Sequence, residues 1–384
     1  MDHHALPRRT ILTLCCFGMM TLSLLSVGPA TCLTSIAKDL ALNDLQKGIF
    51  LSALFWGFPV SVIISGPMAD RFGFRWLLVL GAVLQSGGLY AIASADLLMG
   101  AVAGAVTVGI GAGAIDSLLT PVVCVIYPER RTSANNLLHS FYPIGLVATI
   151  GLVLSLMYLE WTWRPIFKLL SLLPLPFAVA AALIPLPASS HQGTERQRTR
   201  GLLIHLGFIL FGGGILFAGL TEITASVWLP NFVEEVSGSS QTKSVIALLL
   251  FGITMAAGRL SASALAQFWG PRGLILMGTV LCTASLVLAS LPLGTLFTIA
   301  CFCVFGFGIA SFWPTIMGCA GDHYPRAGAS MYSTLTALGV LGGAVGPMLL
   351  GLVSGAYNQE VAIRFLAIAP IVALLLPIRM LKRH

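Results

Sequence analysis

Two acidic side chains stand where an acid is costly. Asp116, in "GIGAGAIDSLLTPVV", and Glu222, in "FAGLTEITASVW", each interrupt a long apolar run. At membrane depth a carboxylate costs roughly 2.5–3.5 kcal/mol on insertion scales unless it faces a cavity, pairs or takes up a proton. The chemistry expected of both is loading and release of a proton; the alternative is a static hydrogen bond between helices. A second set is Asn135, His139 and Tyr142, spaced i, i+4 and i+7, with Asn136 beside it. On a helix that spacing makes one polar stripe, and its donors and acceptors suit a polyhydroxylated solute. His139 could instead titrate near neutral pH, or simply pack helices. Trp228 and Trp313 complete the solute-binding candidates, because indoles stack on sugar faces and donate one hydrogen bond. The alternative for a tryptophan is an anchor at the membrane interface. Trp313 precedes the helix-breaking Pro314. Arg259 reads as a snorkelling arginine near a span end.

These residues need a frame, and composition says which. Of 384 residues, 57% are hydrophobic and 9% charged, with a mean hydropathy of +0.92. Soluble domains carry about 25% charged residues, so the chain reads as a membrane protein. The formal charge of +7 does not indicate nucleic acid, since no basic run is interleaved with aromatics. The eight cysteines lie in apolar stretches without CxxC or Cys/His spacing, so neither a disulfide framework, a metal site nor a cofactor is expected. No phosphate-binding glycine loop is present, so neither ATP-driven transport nor an enzyme is expected. The N-terminal apolar run exceeds a signal-peptide core and reads as a retained span.

A bilayer core needs about 20 apolar residues per helix. The apolar runs predict an all-α membrane protein of twelve spans, near 10–36, 45–67, 75–95, 98–126, 132–158, 163–186, 202–235, 243–268, 273–291, 294–320, 328–355 and 361–380. The polar stretch 187–201 separates two six-helix halves, 1–186 and 202–384. Arg8, Arg9, Arg71, Arg75, Arg130, Arg131, Arg196, Arg198, Arg200, Arg272, Arg326, Arg379, Lys382 and Arg383 fall in the termini and even-numbered loops. By the positive-inside rule both termini and the linker are cytoplasmic.

The halves match at an offset of 197 residues. Gly306 and Gly308 fall on Gly109 and Gly111, Tyr324-Pro325 on Tyr127-Pro128, Gly342 on Gly145, and Gly270 and Arg272 on Gly73 and Arg75. Several separated matches at one offset indicate duplication. Parallel six-helix repeats are one transporter architecture, with its site at the midplane. Glycines 100, 104, 109, 111, 113, 306, 308, 342, 343 and 346 read as close-packing seams.

"GPMADRFGFR", residues 66–75, fits G-x-x-x-D-R-x-G-x-R and resembles the signature loop of the major facilitator superfamily. Gly66 would admit a close helix, and Asp70 would pair with a basic residue or cap a helix. Gly73 would make the turn, with Arg71 and Arg75 holding the orientation. The resemblance implies a conformational latch made of Gly66, Asp70, Arg71, Gly73 and Arg75; the alternative is that these charges only enforce topology. The repeat stretch "SALAQFWGPR" has Gln267 and Phe268 in place of the acid and arginine.

Residues 109–145, 217–232 and 306–325 are similar to the fucose-permease-like sugar:proton symporter branch. That resemblance implies proton-driven transport of a sugar-like solute by a monomer in a bacterial inner membrane, with protons and lipid as its other partners. It favours Asp116 as the proton carrier. The chain departs from that branch where an acid is absent between Asp2 and Lys38, and at Tyr142-Pro143. The competing reading is a proton-coupled exporter of drugs or metabolites, whose fifth-span glycine signature is absent and partly present in the eleventh as "LGGAVGPMLLG". A receptor or scaffold would require large extramembrane domains or loss of the acids.

Overall fold

The structure, a computed structural model, describes residues 7–127, 131–187, 204–324 and 328–381. Among these, eleven helices are long and apolar enough to cross a membrane. Helices satisfy every backbone group internally, which is what an apolar solvent demands. In order they are Arg8–Asp39, Asp44–Gly66, Phe74–Ala93, Leu98–Ile126, Leu137–Tyr158, Trp163–Leu183, Leu206–Val236, Gln241–Ala262, Phe268–Ala289, Thr295–His323 and Thr334–Ala356. The expected twelfth is not one continuous helix. It is split into Gln359–Leu366 and Ala369–Leu375.

Proline explains that break and others. Pro370 has no N–H to offer Leu366 four residues back, and the helix stops at Leu366. The tenth span parts between Ile309 and Phe312, where Pro314 leaves the Ala310 carbonyl without a donor. In the first span a tight 3-10 turn at Leu22–Leu25 precedes Pro29, whose missing donor faces Leu25. The sixth divides at Pro174 in the same way.

The described chain forms two compact units. One holds residues up to Pro29 together with Ala53–His191; the other holds Ala30–Ser52 with Gln192–His384. Of the linker 187–201, residues 188–201 lie outside the described residues. Residues 30–52 belong to the second unit, which the division at the linker does not anticipate.

Within each unit the 197-residue repeat is visible in the backbone itself. Gly73 has φ 78° and ψ 165°, and Gly270 has φ 64° and ψ 170°. Both open the helix that follows in a conformation that glycine tolerates and other residues resist. Tyr127 ends its helix at φ −125°, ψ 60°, and Tyr324 at φ −124°, ψ 58°. The packing repeats as well. A methyl on Gly109 would strike the Leu54 carbonyl, and one on Gly306 the Phe251 carbonyl, again 197 apart. Gly111 meets Gly81, and Gly308 meets Gly278. Small residues at these crossings let helices without a hydrophobic driving force gain dispersion contact instead. Gly100 is not such a seam, since only Ala95 lies near it.

Candidate functional site

In the first unit Asp116 on the fourth span interacts electrostatically with His139 on the fifth. Thr120 Oγ1 lies 3.2 Å from His139 Nε2. Asp116 and Thr120 are one helical turn apart and so share a face, with the Thr120 hydroxyl against the imidazole and the acid within its electrostatic reach. Asp116 is half-buried and His139 exposed. Two prolines loosen the helices here. Pro121 leaves the Ser117 carbonyl, and Pro143 the His139 carbonyl, without its helical donor. Asp116 is therefore not the isolated acid that the sequence suggested. Tyr142, half-buried, follows His139 by three residues on the same helix. The side chains of Asn135 and Asn136 lie outside the described residues, within the helix Arg131–Tyr158.

The second unit carries a different pair. Arg259 Nη2 donates to Glu222 Oε1 at 2.8 Å, joining the eighth span to the seventh. Arg259 does not snorkel, because its charge is met by an acid. The Cys282 thiol, on the ninth span, also feels the Glu222 carboxylate. Trp228 is fully buried, and its indole N–H donates to the Pro347 carbonyl at 3.2 Å. Its expected place on a solute falls away: its ring is core, and its one donor is used. Trp313 is half-buried, with its ring pressed onto the Cα of Gly339, where any methyl would collide with it.

The latch motif is only partly described. Gly73 makes the turn. Arg71 lies exposed with its guanidinium 5.3 Å from the Phe72 ring centre, and Arg75 Nη2 donates to the Ile184 carbonyl at 3.4 Å. Gly66 admits no neighbour: a methyl there would meet nothing within 4 Å, so its role as a close-packing glycine is withdrawn. The Asp70 side chain lies outside the described residues.

The sequence reading missed a polar network in the second unit. Lys47, only 6% exposed, donates to Asp44 Oδ1 at 3.1 Å and closely to Glu235. Asn231 Nδ2 reaches Glu235 Oε1 at 2.8 Å and Thr34 Oγ1 at 3.1 Å. Gln359 Nε2 donates to Asn231 Oδ1 at 3.1 Å and to the other oxygen of Glu235, and Ser354 closes on Asp44. Nearby, Ser244 Oγ donates to Glu234 Oε1 at 2.6 Å. This network assigns residues 30–52 to their unit. The available signal was the charge of "LPNFVEEVSG" at one span end and of "NDLQKG" at the start of another.

Among the described residues no group of three His, Cys, Asp or Glu could hold a metal ion. The family model described as the Major Facilitator Superfamily matches residues 10–347 and, in a second match, 213–384. A Yersinia pestis protein described as an uncharacterised transporter of this superfamily is 21% identical over 328 residues, 84% of this chain and 83% of its own. A mutant of the nucleoside transporter NupG superposes with a TM-score of 0.81 at 15% identity, over 97% of this chain and all of that one. The Escherichia coli fucose:proton symporter FucP superposes at 0.66, also 15% identical, over 97% and 98%. At such identities the likeness shows the fold; the family model, spanning most of the length, shows descent. The chain belongs to the major facilitator superfamily: it is a membrane transporter of small molecules and not an enzyme.

Proposed function

We propose that this transporter moves a small polar, sugar-like solute by alternating access, driven by protons, with Asp116 and His139 as the proton-handling pair. The observation that carries the reading is that His139, held at the Thr120 hydroxyl, acts electrostatically on the membrane-embedded Asp116. An acid within the electrostatic reach of an imidazole has its charge balanced when the imidazole is protonated, and a proton-coupled cycle needs such a group in the membrane. Tyr142 on the same helix and the half-buried Trp313 supply hydroxyl and aromatic surface for the solute, with Asn135 and Asn136 completing the stripe. The nucleoside transporter NupG and the fucose:proton symporter FucP, which share the fold, are named for solutes of this hydroxylated kind. The loop 66–75 acts as the latch on the cytoplasmic face of a bacterial inner membrane, with both termini on that side and the carrier working as a monomer.

A second reading, export by proton antiport, draws on the eleventh-span glycines. Gly342, Gly343 and Gly346 press against Leu216, Ile223 and Thr224 of the seventh span, in a stretch that partly matches the exporter signature. Purified protein in proteoliposomes decides between them. Accumulation of solute with the imposed proton gradient supports symport; accumulation only against it supports the exporter, and indifference to the gradient removes proton coupling.

A further inference from the structure

The Glu222–Arg259 pair lies near the middle of the seventh span, which runs Leu206–Val236. An arginine held there is expensive unless function retains it. Its direction is informative. Ile246, Leu250, Ile253 and Leu260 are the exposed apolar stripe of the eighth span. At 3.6 residues per turn, Arg259 projects roughly 140° away from the centre of that stripe. Its side chain still keeps 32% of its surface open, against 15% for Glu222. That open surface therefore lies on the side away from the lipid-facing stripe.

The hydrogen bonding is incomplete in a specific way. A carboxylate bound side-on to a guanidinium takes Nε and Nη2 together. Glu222 takes Nη2 alone, and Nε is buried with no hydrogen-bond partner among the described residues. Half of the edge is unmet, and a buried unmet donor is costly. The groups facing Glu222 are the Arg259 guanidinium from the eighth span and the Cys282 thiol from the ninth.

We propose that Arg259 recognises a carboxylate on the transported solute, so that the sugar-like substrate is an acid such as a uronate or a hydroxy acid. The inference rests on the carrier reading above. Glu222 takes a proton from water, becomes neutral and turns aside, and the carboxylate of the solute takes the Nε–Nη2 edge. The charge balance favours this exchange: arginine with glutamate is neutral, and arginine with a solute carboxylate beside protonated glutamate is neutral too. Taking either the anion or the proton alone would leave a buried net charge. Solute and this charge-balancing proton thus bind together, in addition to the proton assigned to Asp116.

The test uses matched acids and neutral analogues on purified full-length protein: glucuronate against glucose, gluconate against sorbitol, and lactate against 1,2-propanediol. Ligand-induced thermal stabilisation is read at pH 7.5 and 5.5. One or more acids should stabilise the wild type while the neutral partners do not, with affinity tightening by up to about tenfold per pH unit. Arg259→Gln should weaken that affinity on the order of 100-fold, and Arg259→Lys should recover part of it. Glu222→Gln should bind without pH dependence. Because Arg259→Gln strands an acid, Arg259→Gln/Glu222→Gln provides a neutral control that removes the handle without an orphaned charge. Equal stabilisation by neutral analogues, unchanged acid affinity in either glutamine variant at 259, or no response to any acid overturns the proposal. Counterflow in proteoliposomes separates the two claims. Exchange of a neutral solute insensitive to Arg259→Gln leaves the carrier standing and removes the handle. Acid binding that needs Arg259, without exchange of any solute, does the reverse.

Discussion

Trp313 occupies in the tenth span the place that Asp116 holds in the fourth, 197 residues earlier, and Thr336 likewise answers to His139. Helices duplicated closely enough to repeat the dihedral angles at Tyr127 and Tyr324 therefore carry different chemistry at equivalent points. An acid near an imidazole is suited to protons, and an indole offers a flat apolar face. On the proposed reading, proton chemistry falls in one half and aromatic surface in the other.

Gly339→Ala tests the aromatic side. The added methyl would collide with the Trp313 ring and displace it, with an overpacking cost of about 1–3 kcal/mol. Thermal unfolding should show that loss, and solute affinity should fall with it. Trp313→Phe should weaken solute binding by a few-fold with less effect on stability. Unaltered affinity in both variants would remove Trp313 from the solute site.

Among the described residues Lys47 is the cation that pairs with both Asp44 and Glu235. Lys47→Met takes a nearly buried ammonium away from Asp44 and from the more exposed Glu235, and should destabilise the protein by about 1–3 kcal/mol. Lys47→Met/Glu235→Gln should regain part of that loss, because coupled partners are not additive. The double-variant cycle is read by thermal or denaturant unfolding in detergent, and strict additivity would show that the pair is uncoupled.

The helical frame was legible because apolar run length and the 197-residue spacing are local properties of the chain. Gly73 and Gly270 matched in sequence and match in backbone. The Glu235 partner of Lys47 and the partners of Glu222 and Trp228 were not legible, because each lies on another helix. The burial of Trp228 depends on where the Pro347 carbonyl of the eleventh span falls. Arg259 was readable in part. Its place in a span was readable, and it was read as snorkelling; the outward face of Leu250, Ile253 and Leu260 and the reach to Glu222 both needed the fold.

Gly73→Ala and Gly270→Ala should cost about 1–3 kcal/mol each, since both force a side chain into a backbone region reserved for glycine. The expected outcome is two similar drops in melting temperature. A drop at one position alone would mean that the two turns, though alike in geometry, are held by different surroundings.

The Asp70→Asn variant addresses the latch. Transport should slow while equilibrium solute affinity stays within a few-fold, because the loop sits at the end of a span, remote from Asp116 and Glu222 along the chain. Loss of binding in well-folded protein would assign Asp70 to the solute site.

The central claim is that Asp116, within the electrostatic reach of His139, carries the coupling proton. The most direct measurement pairs pH-gradient-driven uptake with counterflow in the same proteoliposomes, wild type against Asp116→Asn. The account predicts that Asp116→Asn abolishes uphill accumulation and retains exchange between equal pools, since exchange needs alternating access without net proton movement. Retained uphill accumulation in Asp116→Asn would contradict it, and loss in Glu222→Gln alone would move the coupling proton to the seventh span.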